Sequence, residues 1–216
     1  MALVKRMLQI FALFTCIQLQ AGGNSEDIQA LHELLQPITS LSAKFTQQIT
    51  DAEGFALESS QGLFEVAQPA KMRWQVTAPM EQQIISDGNK LWVFDRDLEQ
   101  VVIQPFNRNI ATTPAVLFSG DLDQLDRAFY IRKVSDSLFT LMPESAGSLF
   151  KQIEIKFVGQ QPVAIVLTDN LAHTTTIKFT ELKINSGISA DRFIFNIPPD
   201  VDVIDNTQSR AVKNAN

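Results

Sequence analysis

GLFEVAQPAKMRWQVTAPMEQQIISDGNKLWVFDRDLEQ, residues 62–100, reads as four consecutive short strands, each giving way to a recognisable turn. Met72, Trp74 and Val76 alternate with Lys71, Arg73, Gln75 and Thr77, so one face of that strand is apolar and the other polar. Pro69 opens the strand and Ala78-Pro79 closes it, because proline has no N–H to give to a ladder. Asp87-Gly88-Asn89 then joins residues 82–87 to residues 90–95 as a hairpin, with glycine supplying the positive φ of the turn. The block specifies an antiparallel meander that carries both tryptophans and no catalytic constellation beside them.

On the N-terminal side, Ile28, Leu31, Leu35 and Ile38, with Leu34 beside them, recur at three- and four-residue spacing. Asn24 or Ser25 serves as cap and Glu26 and Asp27 as an acidic first turn, which predicts an amphipathic helix with one apolar face. From Leu41 the period changes to two, through Ala43, Phe45, Gln47 and Ile49, and a further strand runs from the turn at residues 51–54 to about Gln68. On the C-terminal side the meander continues through residues 100–104 and breaks at Asn107. Thr113-Pro114 predicts a helix start, followed by the apolar cluster Ala115, Val116, Leu117 and Phe118 and then by Gly120. A short helix is predicted at residues 122–127, and strands at 129–134, 139–142, 152–158, 163–168 and 173–182.

The fold class is therefore mainly β (α+β). A twisted antiparallel sheet of about ten strands curls, and one that does not close leaves a concave face. With the first helix and the cluster at Val116 to Phe118 laid over that face, the chain is an incomplete antiparallel β-barrel, a half-barrel with a helical lid over an apolar concavity. Fifteen Phe against one Tyr mean that few aromatic rings bring a polar handle. A fully packed core is the competing reading of the same pattern.

The N-terminus bears on where the protein works. Lys5 and Arg6 precede an apolar run to about Leu19 and a small-residue approach to a cut after Ala21 or Gly22, which describes a secretory signal peptide over residues 1–21. Gln9, Thr15, Gln18 and Gln20 interrupt the run, against a membrane span. The single cysteine, Cys16, lies within the signal and follows Thr15 where a lipid-attachment site needs a smaller residue, so the mature chain is expected to carry no thiol, disulfide or thiolate metal site. Removing residues 1–21 takes Lys5 and Arg6 and no acid, moving the formal net charge from −6 to −8. Such a chain is unsuited to nucleic acid or anionic membrane surfaces. Residues 22–216, without linker or repeat, are read as one domain.

Enzymatic readings lack support. His32 on the predicted helix and His173 at a strand start are the only histidines, which leaves no His-based metal cluster and no nucleophile elbow. Asp121, Asp123 and Asp126 read as a solvated helix face, and Asp87 and Asp169 as turn formers.

Phe45-Thr46-Gln47, Gly62 with Phe64, Pro69-Ala70-Lys71-Met72-Arg73-Trp74, Ser86 to Trp92, Gln100-Val101, Thr113-Pro114 and Phe193-Ile194-Phe195-Asn196-Ile197-Pro198-Pro199 together resemble the LolA family of outer-membrane lipoprotein carrier proteins. The resemblance runs in order over essentially the whole mature chain. It implies a periplasmic, monomeric chaperone without cofactor or metal, which takes acylated lipoproteins from an inner-membrane ABC-type lipoprotein release complex and hands them to an outer-membrane lipoprotein receptor. It implies an acyl-chain cavity contacted by Phe45, Phe64, Met72, Trp74 and Trp92, and a lid contributing Leu31, Leu35, Val116, Leu117 and Phe118. The family commonly has an arginine before the proline of the central block, where it latches the lid; here that residue is Gln68, with Arg73 as a substitute candidate. Met72 stands where the family often has Phe and keeps an adaptable apolar surface. Two other classes stay open: a periplasmic lipid- or lipoprotein-sensing protein, which typically has a further domain, and a secreted β domain with a packed core.

Overall fold

The computed structural model describes residues 25–106, 117–118 and 120–207. The expected signal peptide at residues 1–21, the expected helix start at Thr113-Pro114 and Val116 lie outside them. Twelve strands form one sheet: β1 (Ser40–Thr50), β2 (Ala56–Ala67), β3 (Lys71–Ala78), β4 (Gln82–Asp87), β5 (Lys90–Asp95), β6 (Gln100–Pro105), β7 (Phe129–Ser135), β8 (Leu138–Pro143), β9 (Phe150–Val158), β10 (Gln161–Asp169), β11 (Thr174–Ile184) and β12 (Asp202–Asp205). The spatial order is β12-β6-β5-β4-β3-β2-β1-β11-β10-β9-β8-β7. Two meanders are joined where β1 pairs with β11, and β7 and β12 end the order without meeting, so the barrel stays open. Every pairing is antiparallel except that of β12, which runs parallel to β6.

Among the described residues two α-helices accompany the sheet, α1 (Ser25–Leu35) and α2 (Leu122–Ala128). α1 begins on an acidic turn and stops just before Pro37, since the residue ahead of a proline is pushed out of the helical region. Its apolar stripe delivers Leu31 and Leu35, 0 % and 3 % exposed, into the same core as the sheet. Complete burial of a leucine contributes about 1.5–3 kcal/mol, more than helix propensity gives so short a segment. Asp121 caps α2 by accepting from the Gln124 N–H at 3.0 Å. His32 Nε2 meets Asp126 Oδ1 at 2.9 Å, tying α1 to α2.

The registers assign the faces. Phe64 lies opposite Trp74, and Trp74 opposite Ile84, so these three share the concave side with α1. Glu65 lies opposite Arg73, Arg73 opposite Ile85, and Ile85 opposite Trp92, which places that row on the convex side. The convex side is apolar too over β4–β6: Ile85, Val101 and Ile103 are buried outside the concave core. A short 3-10 turn, Ala190–Phe193, lies against β3 and β4 with Phe193 2 % exposed. Phe195 then stacks on Trp92 at 6.4 Å and packs on Phe94 at 5.8 Å.

The expected meander holds strand by strand. Two elements differ from expectation. β12 lies in a proline-rich stretch, has no buried residue and pairs parallel to a strand about a hundred residues away, so no local alternation announces it. The Ala190–Phe193 turn is specified by what it covers, which is equally non-local.

Candidate functional site

The concave face is built around four strand aromatics. Phe45 stacks on Trp74 with ring centroids 3.7 Å apart and planes at 24°. Phe64 meets Trp74 edge-on at 5.5 Å and stacks on Phe179 at 5.5 Å. Gly62 sits between Phe45 and Val76 in the register, and only a missing side chain there lets the Phe45 ring cross to Trp74. Met72, 2 % exposed, extends this surface toward the β2–β3 turn. Leu31 and Leu35 cover it from α1, and Leu117 and Phe118 from the segment before α2. Phe118 stands 6.0 Å from Phe64, so the floor and its cover are in direct aromatic contact.

The chemistry of this surface is hydrocarbon. Its large lining groups offer no general base or nucleophile, and the described residues hold no group of three or more His, Cys, Asp or Glu able to bind a metal. What such a surface does is bury apolar material.

Among the described residues, Gln68 makes polar ties to the covering segments. The Gln68 backbone N–H donates to Thr39 O at 2.9 Å, and its side-chain Nε2 donates to Ile38 O at 2.6 Å, fastening the connection that leaves α1. The same side chain packs on Gly120, where an added Cβ would fall 2.6 Å from Gln68 Cδ. Gln68 thus touches both covering segments, and it borders a cleft of ≈ 470 Å³ shared with Gln36, Pro69 and Asp121 to Asp123. Gln68→Ala is expected to cost about 1 kcal/mol, the loss of one hydrogen bond at a half-buried carbonyl. Hydrogen exchange should quicken in residues 36–39 while β8–β10 stay protected; unchanged exchange at 36–39 would remove Gln68 from this role.

Two expected site residues stand elsewhere. Trp92 is on the convex face with Ile85 and Ile103, under Phe195, and does not line the concavity. The strand LWVF is apolar on both faces, so period two alone cannot assign its inward side. Arg73 likewise faces outward, on the side of the sheet away from Leu117 and Phe118. Its Nη2 donates to Gln75 Oε1 at 2.7 Å, while its buried Nε lacks a hydrogen-bond partner and stands 4.0 Å from Glu65 Oε2. Arg192 occupies Glu65 instead, through Nε at 3.0 Å and Nη2 at 2.7 Å. Burial and the adjacent Arg192 charge push the Arg73 guanidinium down from its ordinary pKa, with Glu65 opposing them. Glu65 and Arg192 pin the C-terminal turn to the sheet, and Arg73 sits at that convex junction rather than beside the described lid residues.

Residues 36–196 match the family model described as outer membrane lipoprotein carrier protein LolA. The chain belongs to the LolA family. The match begins at the Gln36 linker and ends just past Phe195, so it spans every strand aromatic of the concave face and leaves out Leu31 and Leu35 of α1. An outer-membrane lipoprotein carrier protein of Chromohalobacter salexigens is 36 % identical over 196 residues, 89 % of this chain and 91 % of that protein. Proteins of the same description from Hahella chejuensis and Pseudomonas aeruginosa are 32 % and 34 % identical over 204 residues, covering 92 % of this chain and 98 % and 97 % of theirs. Among solved structures, an uncharacterized conserved protein from Thermus thermophilus superposes with a TM-score of 0.50 at 17 % identity. That superposition covers 84 % of this chain and 98 % of the other, and it bears on the fold alone.

Within this LolA-family fold, Phe179 and Gly62 are the site residues that sequence reasoning passed over. Ile177 and Phe179 alternate on β11 and read as core, and only the pairing of β11 with β1 places Phe179 against Phe64. Gly62 looks like any glycine in a strand until its neighbours across the sheet are known.

Proposed function

We propose that the chain is a periplasmic lipoprotein carrier whose concave aromatic face shelters the acyl chains of lipoproteins released from the inner membrane. The observation that carries this reading is the contact of Phe64 with Phe118, an apolar floor under an apolar cover. The LolA relatives, described as outer-membrane lipoprotein carrier proteins, support it. Export follows from the predicted signal peptide at residues 1–21. The cargo comes from an inner-membrane ABC-type lipoprotein release complex and goes to an outer-membrane lipoprotein receptor, and the carrier works as a monomer without chemistry of its own.

Physical exchange accounts for loading. Leu31, Leu35, Leu117 and Phe118 are buried against the concavity and cover its floor. Each acyl CH₂ buried contributes about 0.8 kcal/mol, enough for a lipid chain to replace covering side chains whose own fastening is worth a few kcal/mol. Opening needs no nucleotide, only a difference in affinity between the covered and uncovered states. Release reverses the exchange when the receptor offers a better shelter.

Leu117→Glu and Met72→Glu are each expected to weaken binding of a triacylated peptide about tenfold or more while the β-type circular dichroism persists. Met72 lies on the face and Leu117 in its cover, and a carboxylate at either must be desolvated against the acyl chain. The decisive measurement is titration of the mature chain with triacylated and unacylated forms of one peptide. Equal affinity for the two would end the carrier reading and favour a β domain with a permanently packed core.

A further inference from the structure

The end of the sheet opposite the Gln68 junction carries the β1–β2, β3–β4, β5–β6, β8–β9 and β10–β11 turns. Each of these five turns presents a large apolar side chain to solvent. Phe55 and Leu57, Met80, Leu98, Leu149 and Leu171 are 57–73 % exposed. Folding puts such groups inside, and one row of hairpin tips holding six of them calls for a partner surface.

The tips are also held rigidly. Asp51 Oδ1 accepts from the Glu53 and Phe55 N–H groups at 3.1 and 2.8 Å. Asp95 Oδ1 accepts from Asp97 and Leu98, both at 3.1 Å, and Asp169 Oδ1 from Leu171 and His173, both at 2.8 Å. Three tips therefore display their apolar residue from a turn closed by an aspartate, so docking there costs little ordering entropy.

Charge selects the partner. Residues 51–58, 79–81, 95–99, 144–149 and 169–173 contain nine carboxylates, from Asp51 to Asp169, and one arginine, Arg96. Arg96 Nη1 is already paired with Glu81 Oε2 at 2.5 Å. This rim is repelled by an anionic lipid surface. A second copy docking through it would set carboxylates against carboxylates. A protein face that is cationic and has apolar sockets meets both features at once.

We propose that this acidic rim of apolar hairpin tips is the docking surface through which the carrier is recognised by a cationic protein partner, so that contact is made at the end of the sheet away from the Gln68 junction. The inference rests on the carrier reading for the choice of partner. The probes are the purified periplasmic domains of the release complex and of the receptor from the same organism, with a triacylated peptide as an independent monitor of the concave face. Leu98→Asp with Leu171→Asp, and separately Glu53→Lys with Asp97→Lys, are expected to weaken binding to one or both domains about tenfold and to leave peptide binding unchanged. Wild-type affinity should fall by a similar factor between about 50 and 500 mM salt. Val158→Asp, an equally exposed apolar site at the opposite end of the sheet, should change neither.

The proposal is overturned if both paired variants bind the domains like the wild type, or if the wild type binds neither domain. It is overturned in favour of a lipid surface if the variants lose binding only to vesicles of phosphatidylethanolamine and phosphatidylglycerol. Concentration-dependent self-association abolished by the same substitutions would replace the partner with a second copy. A wild-type chain that ignores the triacylated peptide yet docks through the rim would sink the carrier reading and leave the rim standing.

Discussion

Gly62→Ala is expected to lower stability by about 4 kcal/mol or more, a large share of the roughly 5–15 kcal/mol that keeps a domain folded. The methyl group has no place to go. Its Cβ would lie 1.8 Å from Gln75 O, 2.8 Å from Gln75 C and 2.9 Å from Phe45 Cε1. Two of those atoms are main chain of the neighbouring strand, so relief requires β2 and β3 to part at the irregular step between Gln61 and Gly62. Overpacking against movable side chains usually costs about 1–3 kcal/mol, and a collision with backbone exceeds that range. The third atom belongs to the ring stacked on Trp74, so the floor of the concavity is disturbed along with the ladder. Gly54→Ala is the control: nothing lies within 4 Å of its added Cβ, and the positive φ of +88° alone should cost about 1 kcal/mol. Urea unfolding of the two variants separates the cases, and a Gly62→Ala midpoint close to that of Gly54→Ala would contradict the geometry.

Phe64→Ala is expected to cost about 3–5 kcal/mol, the range for removing a fully buried phenyl group. Phe64 contacts Trp74, Phe118 and Phe179, and aromatic pairs add about 0.5–1.5 kcal/mol each beyond area burial. Loss of this ring does more than open a void, because it removes the floor's contact with the covering segment. Hydrogen exchange at Phe118 should therefore rise further than at Ile155 or Ile165, which lie in the same core on β9 and β10. Phe64→Leu preserves most of the volume and should cost less than about 1.5 kcal/mol. Saturating triacylated peptide should raise the unfolding midpoint of Phe64→Ala, as any ligand specific to the folded state must. A uniform rise in exchange across the sheet, with no excess at Phe118, would reduce Phe64 to ordinary packing.

How far the sequence discloses this molecule follows from the range of each signal. Strands β1 to β11 are local patterns closed by local turns, and the alternation from Gly62 to Gln100 suffices to place both sides of β3. Where a strand is apolar on both faces, as in Leu91-Trp92-Val93-Phe94, alternation assigns no inward side. The outward position of Trp92 depends on Phe195, roughly a hundred residues later. Arg73 eluded the reading for a related reason. Its neighbourhood suggested a lid contact, whereas its environment is set by Glu65 across the ladder and by Arg192 from the C-terminal turn. Gln68 departs from the family's arginine, and a shorter neutral amide still reaches Ile38 O from that position.

The apolar layer on the convex side of β4–β6 gives the open barrel two unlike jaws. One wing is clamped on both faces, by the concave core inside and by Phe193 and Phe195 outside, with Glu65 and Arg192 as the rivet. The other wing, β7 to β10, meets α1 and α2 through β7 and packs its inner side into the concave core. The doubly covered wing is the stiffer of the two, so widening of the open barrel is expected at β7 to β10.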